Sequence, residues 1–464
     1  MVQSGSTRGR RGSRPYRRIT FPAILLLVMI ASCVPPAART GGDSGAGGGD
    51  SLMSVQLRAG RIHGTGSSLS PPILRVAPPG TFDPPQGFGA ASLTIQADLI
   101  ADAPPTLSLE LTHCDQNWVP TRSVFIQDQA KLRAGDVQIY VPPYGADGYD
   151  YSATVTFPSE TNNVEIRYSG NYLARLVDAF NPDNIVAEFR FFAVEPTAGV
   201  ELEMISDFFE SAWTEKVQEG LRARVEVMPP TDLFSSGFQA IHLIESGKWS
   251  QPFIASEFES REPRDRGEVR STWSDGYGGK VIAEFRNIPS GNEHRILDLT
   301  DRMNFPPGDG VYSTRLSDQP RFANFSEHDN DGMARYDFVP PEDQDYVYFE
   351  FRLDIEGERI YDDMAVVGTF NNWTPTWDWR LVYDPDSRRY LARGWISRAV
   401  HEYEYVSGKW NVDTGLLERA EATLLEGNSV YASQTWYALA YYRNQTANAY
   451  DRIVGVGIDV SGGR

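Results

Sequence analysis

Between positions 107 and 113 the chain alternates. Leu107, Leu109 and Leu111 fall on one side and Ser108, Glu110 and Thr112 on the other, the period-two pattern of a strand with one buried face. The same alternation returns at 200–204 (VELEM) and at 221–227 (LRARVEV). Further runs predict strands at 93–99, 137–140, 151–156, 172–177 and 185–194, and later at 346–353, 364–367, 389–395 and 401–406. Within 185–194, Phe189, Phe191 and Ala193 oppose Arg190, Phe192 and Val194, which predicts one deeply buried face and one partly buried face. Gly, Pro, Asn and Asp punctuate these runs, as Gly170-Asn171 does before the strand at 172, and such residues mark turns. Helical periodicity is scarce. The pattern therefore predicts an all-β chain of tandem immunoglobulin-like β-sandwich domains.

At about 150 residues per domain the length allows about three. Composition shifts place them at 55–196, 197–342 and 343–457. The 22 Tyr, 23 Phe, 41 Gly and 30 Pro suit aromatic strands joined by tight turns. Residues 1–32 read as a lipoprotein signal peptide: six arginines precede an apolar run over 21–31, which is too short to span a bilayer but suits a signal core. Ile30-Ala31-Ser32-Cys33 resembles a lipobox, so Cys33 is the expected lipidation site. Positions 33–54 are rich in Gly, Ser and Ala and read as a flexible linker with a reach of about 25 Å. A lipid at Cys33 would hold the protein on a membrane surface.

Loss of the signal segment removes six arginines and no acidic residue, moving the formal charge from −19 to −25. So acidic a protein is unsuited to nucleic acid. Only Cys33 and Cys114 are present; with Cys33 lipidated, neither a disulfide framework nor a cysteine metal site is expected.

Candidate chemistry is thin. His113, Cys114 and Asp115 bring an imidazole, a thiol and a carboxylate together at a strand end, the parts of a nucleophilic site. Neighbours in an extended strand point apart, however, and a lone Cys is usually a small buried hydrophobe, so the structural reading is preferred. Gly291, Asn292, Glu293, His294 and Arg295 crowd mixed charges into a turn and read as a salt-bridged corner. Asp329, Asn330, Asp331 and Gly332 match a fragment of a calcium loop, but Phe338 stands where its closing Glu belongs, so a turn is the better reading. None of the six histidines forms an HExxH pair, and GxSxG, P-loop and GxGxxG segments do not occur; no enzyme activity, metal or cofactor is expected.

The order of these pieces carries a resemblance. HCDQNW at 113–118 (His113, Cys114, Asp115, Asn117, Trp118), SGNY at 169–172 (Gly170, Asn171, Tyr172) and RFFAVE at 190–195 resemble the first domain of the type IX secretion plug proteins. GNEHR at 291–295, LEGN at 425–428 and YDRIVG at 450–455 fit the same family. His294 departs from it, standing where an aromatic residue is expected, and 207–220 and 256–279 match poorly. GTFNNW at 368–373 (Gly368, Phe370, Asn372, Trp373) resembles the turn of glycogen-binding and early-set domains. The resemblance implies a non-enzymatic subunit that seals the periplasmic mouth of a large outer-membrane translocon barrel while it is free of cargo. It implies an outer-membrane lipoprotein facing the periplasm, since no acidic run follows Cys33. The alternative is a carbohydrate-binding lipoprotein using Trp373, Lys409 and Trp410 to hold a sugar.

Mass spectrometry of the mature N-terminus should find acylated Cys33; an unmodified terminus further downstream would remove the tether.

Overall fold

A computed structural model describes residues 55–78, 87–210, 217–257, 269–308, 310–321, 329–340, 343–355, 363–443 and 450–462. The expected signal peptide, Cys33 and the linker lie outside the described residues, as do parts of the poorly matching stretches. The protein is all-β, built from β-sandwiches; Thr423–Glu426 is the one α-helix among the described residues.

The first sandwich packs two sheets. One pairs Gln56–Gly64, Leu93–Ile100, Tyr151–Phe157 and Gln138–Tyr140 in that order; the other runs Ile185–Val194, Gly170–Asp178, Leu107–Cys114 and Arg133–Ala134. The alternation in sequence sets which side chains meet. Leu93, Ile95, Ala97 and Leu99 are buried while their neighbours are half-buried, and they share a core with Leu109, Leu111, Leu176, Phe189 and Phe191.

The second sheet of this sandwich does not end there. At a single parallel pair, Ile453 beside Val194, it continues through Asp451–Ser461, Gln434–Arg443, Phe238–Glu245 and Phe253–Ser256. That extension is one wall of the second sandwich. The other wall is Gly199–Glu210, Val217–Met228, Val281–Pro289 and Arg270–Asp275, and Leu221, Val225, Val227 and Phe285 pack against Phe238, Leu243, Trp436 and Val454. The two walls come close at Gly455, where an added Cβ would lie 2.6 Å from Val200 and 2.7 Å from the Ala198 carbonyl oxygen.

The third sandwich is inserted between Val281–Pro289 and Gln434–Arg443. Arg295–Asp298, Val400–Asn411 and Asp363–Gly368, with Leu416–Glu421, face Val311–Tyr312, Tyr346–Leu353, Arg389–Ser397 and Val382–Asp384. Phe349, Phe351, Val366, Tyr403 and Tyr405 fill it.

This corrects the expected division at 342/343. The third sandwich starts near 295, and the strands at 434–443 and 451–461 belong to the second sandwich. Periodicity identifies a strand and its buried face but not the strand it pairs with, so a strand pair completing a distant sheet was assigned to its chain neighbours. The second face of 185–194 is half-buried at Val186, Glu188 and Arg190, as expected, and becomes deep at its end, where Phe192 and Val194 pack with Tyr437, Leu439 and Tyr441. All three sandwiches belong to one compact unit.

Trp436→Ala should cost about 3–5 kcal/mol, as large-to-small changes of buried aromatics do. Amide hydrogen exchange should then quicken at 221–227 and 281–288 more than at 346–353. The opposite order would contradict the discontinuous second sandwich.

Candidate functional site

The residues singled out in the sequence gather at two places, each a polar joint between sandwiches. At the first, His113 and Cys114 end the strand Leu107–Cys114, both fully buried. The His113 ring is held by the Ser169 carbonyl at 3.0 Å from Nε2 and by the Thr121 hydroxyl at 2.7 Å from Nδ1. A carbonyl only accepts, so Nε2 carries the proton and Nδ1 accepts from Thr121. Burial pulls the imidazole pKa down to about 4, so it is neutral. Gly170 sits against it with φ +141, and a Cβ there would fall 2.5 Å from Nε2, a position only glycine fits. Cys114 points elsewhere; burial, then Asp115, pushes its thiol up to about 12. Thiol and imidazole are not partners.

After Cys114 the chain makes a tight turn. Asp115 Oδ1 accepts from the backbone amides of Asn117 and Val119 at 2.9 and 3.0 Å. Asn117 itself is exposed, whereas Trp118, at φ 63, lays its ring against Phe192 with the Arg190 guanidinium 4.8 Å away. Asn171 ties this turn to the C-terminal hairpin: its amide donates to Asp115 O at 3.1 Å, and its Oδ1 accepts from Tyr441 at 2.7 Å. The Gln116 amide donates to Asp451 Oδ2 at 3.0 Å. Glu195, fully buried, accepts from Ser169 at 2.8 Å and from Arg452. Tyr172 is structural too, stacked on Phe191 with its hydroxyl on Tyr168 O.

The second joint is built around 290–295. Ser290 and the Gly291 amide both donate to Asn428 Oδ1, at 2.8 and 2.9 Å. Asn292 donates to the Glu426 carbonyl at 2.9 Å, and Glu293 accepts from the Ser433 amide at 2.8 Å. Arg295 donates to the buried Glu426 carboxylate at 2.9 Å and lies 3.4 Å from Asp318. Burial works against its charge, but Glu426 outweighs that and holds Arg295 ionised.

Next to these, His294 meets the 329–332 turn. Its Nδ1 is 2.9 Å from Asp329 Oδ2 and 3.4 Å from Glu402 Oε2, and its Nε2 is 3.9 Å from Glu245 Oε1. Burial opposes protonation, but Asp329 and Glu402 raise the pKa to about 10. Lys248 bridges Glu245 and Glu404 at 3.0 and 3.1 Å, 5.3 Å from the Trp373 ring centre. Trp373 is 2% exposed; its ring lies 4.4 Å from His294 and its indole N–H donates to Gly332 O at 2.9 Å. Gly368–Trp373 is thus a plug in the joint, with Phe370 tilted against Trp379, ring centres 4.6 Å apart, and the exposed Asn372 reaching Gly60 O of the first sandwich at 3.3 Å. The first and third sandwiches also meet directly, through Tyr346 on Asp98 at 2.8 Å.

This placement removes Trp373 from any sugar platform. Lys409 is exposed and Trp410 half-buried, its ring 5.1 Å from the exposed Trp377. The sequence did not single out Lys248, Glu402, Glu404, Glu426 or Tyr441 as members of a joint. A signal existed in HEYEYV at 401–406: Tyr403 and Tyr405 face the core, and the face carrying Glu402 and Glu404 is covered instead of solvated.

No protein-family model and no curated protein matches this sequence. Among solved structures, the crystal structure of a hypothetical protein from Parabacteroides merdae shares the fold at TM-score 0.65 and 15% identity, over 88% of this chain and 98% of that one. That likeness speaks to the fold alone. Fold and site together define a multi-sandwich β-protein with buried polar joints.

Three buried histidines give the pH response a sign. Burial lowers His113 and His401 to about 4 and His242 to about 3. In the unfolded chain they titrate near 6.5. The unfolded state therefore takes up protons first on acidification. Their contribution is complete above about 6.5 and falls away as pH drops towards about 4. Melting temperature should decline across that window, and His113→Gln should make the decline shallower; an unchanged slope would contradict a neutral His113.

Proposed function

We propose that this protein is a non-enzymatic plug subunit of a type IX secretion translocon: a lipid-tethered periplasmic body that closes the inner mouth of the outer-membrane barrel in its cargo-free state. One observation carries the reading. Several of the residues that resemble the plug family lock the sandwiches together: Asn171, Glu195 and Asp451 at the first joint, and at the second Asn292 and Asn428, which bond Gln434 and Glu219 of the second sandwich. A body that closes a wide pore by steric means has to resist deformation, and sequence spent on joints serves that need.

The surface supports a reversible contact. The protein as a whole is acidic, and the segment 119–144 exposes Val119, Val124, Phe125, Tyr140, Val141 and Tyr144, large side chains of the kind found where a protein meets a partner. A seal that must release its pore suits a moderate, mixed interface better than an obligate apolar one. The sugar-binding reading loses its central residue, since Trp373 is enclosed. No helix among the described residues is long and apolar enough to cross a membrane, which leaves the tether to Cys33.

The test is a pull-down from native membranes with identification of the partner. A large outer-membrane barrel should co-purify in the cargo-free state and less in the loaded one. Deletion should let large antibiotics through the outer membrane while secretion continues in part. A soluble enzyme or polysaccharide system as partner, with permeability unchanged, would overturn the proposal.

A further inference from the structure

Within the second joint, three side chains present one ligand atom each to a common point. His294 Nδ1, an Asp329 oxygen and a Glu402 oxygen lie within 4.8 Å of one another. The separations from Nδ1, 2.9 Å to Asp329 and 3.4 Å to Glu402, bracket the edge of a tetrahedron with metal–ligand bonds near 2.0 Å, about 3.3 Å. The side chains of all three are at most 2% exposed.

A second observation points to an occupant. His294 Nδ1 is buried and makes no hydrogen bond, although Asp329 is so close. Buried polar atoms of native proteins are nearly always satisfied, and an imidazole nitrogen set between two carboxylates becomes a metal ligand when the ion displaces the proton it otherwise holds there. The carboxylates are already fixed by the backbone. Asp329 accepts from the amides of His294 and Asp331, and Glu402 from those of Asn330 and Gly332. Each oxygen keeps a further lone pair. On the far side of the ring, Glu245 faces Nε2, where a carboxylate commonly orients a metal-bound imidazole.

We propose that His294, Asp329 and Glu402 bind a divalent first-row metal, zinc by preference, that fastens the entry segment and the 329–332 turn of the third sandwich to its central strand. The mixed nitrogen and oxygen donors fit zinc; calcium would require 6–8 oxygens at longer range. Water completes the coordination. The ion spans residues far apart in sequence: His294 at the start of the insertion, Asp329 in its loop and Glu402 on its central strand.

The experiment uses the full-length protein purified from its native host without chelator. Elemental analysis should find roughly one zinc per chain. Dialysis against a chelator should lower the melting temperature by several degrees, and Zn²⁺, but not Mg²⁺, should restore it. Co²⁺ added to the stripped protein should give visible absorption bands that Asp329→Asn weakens. Because Asp329→Asn could itself disturb the turn, the stripped wild-type protein carries the decision. Protein that is metal-free as isolated, with a melting temperature indifferent to both chelator and added zinc, would overturn the proposal and leave His294 as an imidazolium between two carboxylates.

Discussion

The arrangement depends on burying charge between sandwiches. Lys248 and Glu404, and Glu195 and Arg452, sit where the sandwiches meet, largely out of solvent. Removing a charge from water costs several kcal/mol, which only a well-placed partner offsets. Breaking such a pair by removing one partner costs about 3–5 kcal/mol, because the other charge stays behind. An apolar seam could slide by a residue and still bury its surface. These joints cannot. Asn171 reaches the 115–116 turn and Tyr441 at once, and Lys248 takes both Glu245 of the second sandwich and Glu404 of the third. Each bond holds only in one mutual placement of the sandwiches, so the joints specify geometry more than they add stability.

The chain path strengthens that constraint. The second sandwich is opened after 289 to admit the third and closed by 434–461. Both ends of the insertion therefore leave the same sandwich, and the second joint forms where they leave: 290–295 on the way out and 425–433 on the way back. The central sheet then passes from the second sandwich into the first through the single pair at Ile453 and Val194. Beside it, the amides of Glu195, Thr197 and Ala198 donate to the Ile453 and Val454 carbonyls, a short backbone contact for a joint between two sandwiches. The Glu195–Arg452 and Gln116–Asp451 contacts beside it provide the stiffness.

Much of this was legible in the sequence. The strands at 185–194 and 346–353 were read to the residue, and that at 107–113 to within one residue, because clean alternation has one structural solution. The same rule gave a structural role to Cys114 and His113. What was not legible was pairing across distance. His294 and the 329–332 turn were each read as local corners, and nothing in their spacing shows that they meet each other and Glu402. Glu402 and Glu404 look like the solvent face of a strand, and become a buried face only because the 246–251 turn and Trp373 close over them. Trp373 was read as part of a domain-closing turn and, in the alternative, as a sugar platform; two successive left-handed residues, Asn372 and Trp373, turn the ring inward.

The central claim is that polar joints make three sandwiches behave as one body. Scanning calorimetry of the mature chain beside an Asn171→Ala, Glu404→Gln double variant tests it most directly. The account predicts a single cooperative transition for the wild type that splits into separate transitions in the variant, with the sandwich cores still folded. A wild type that already melts in separate steps, or a variant that keeps one unbroken transition, would contradict it.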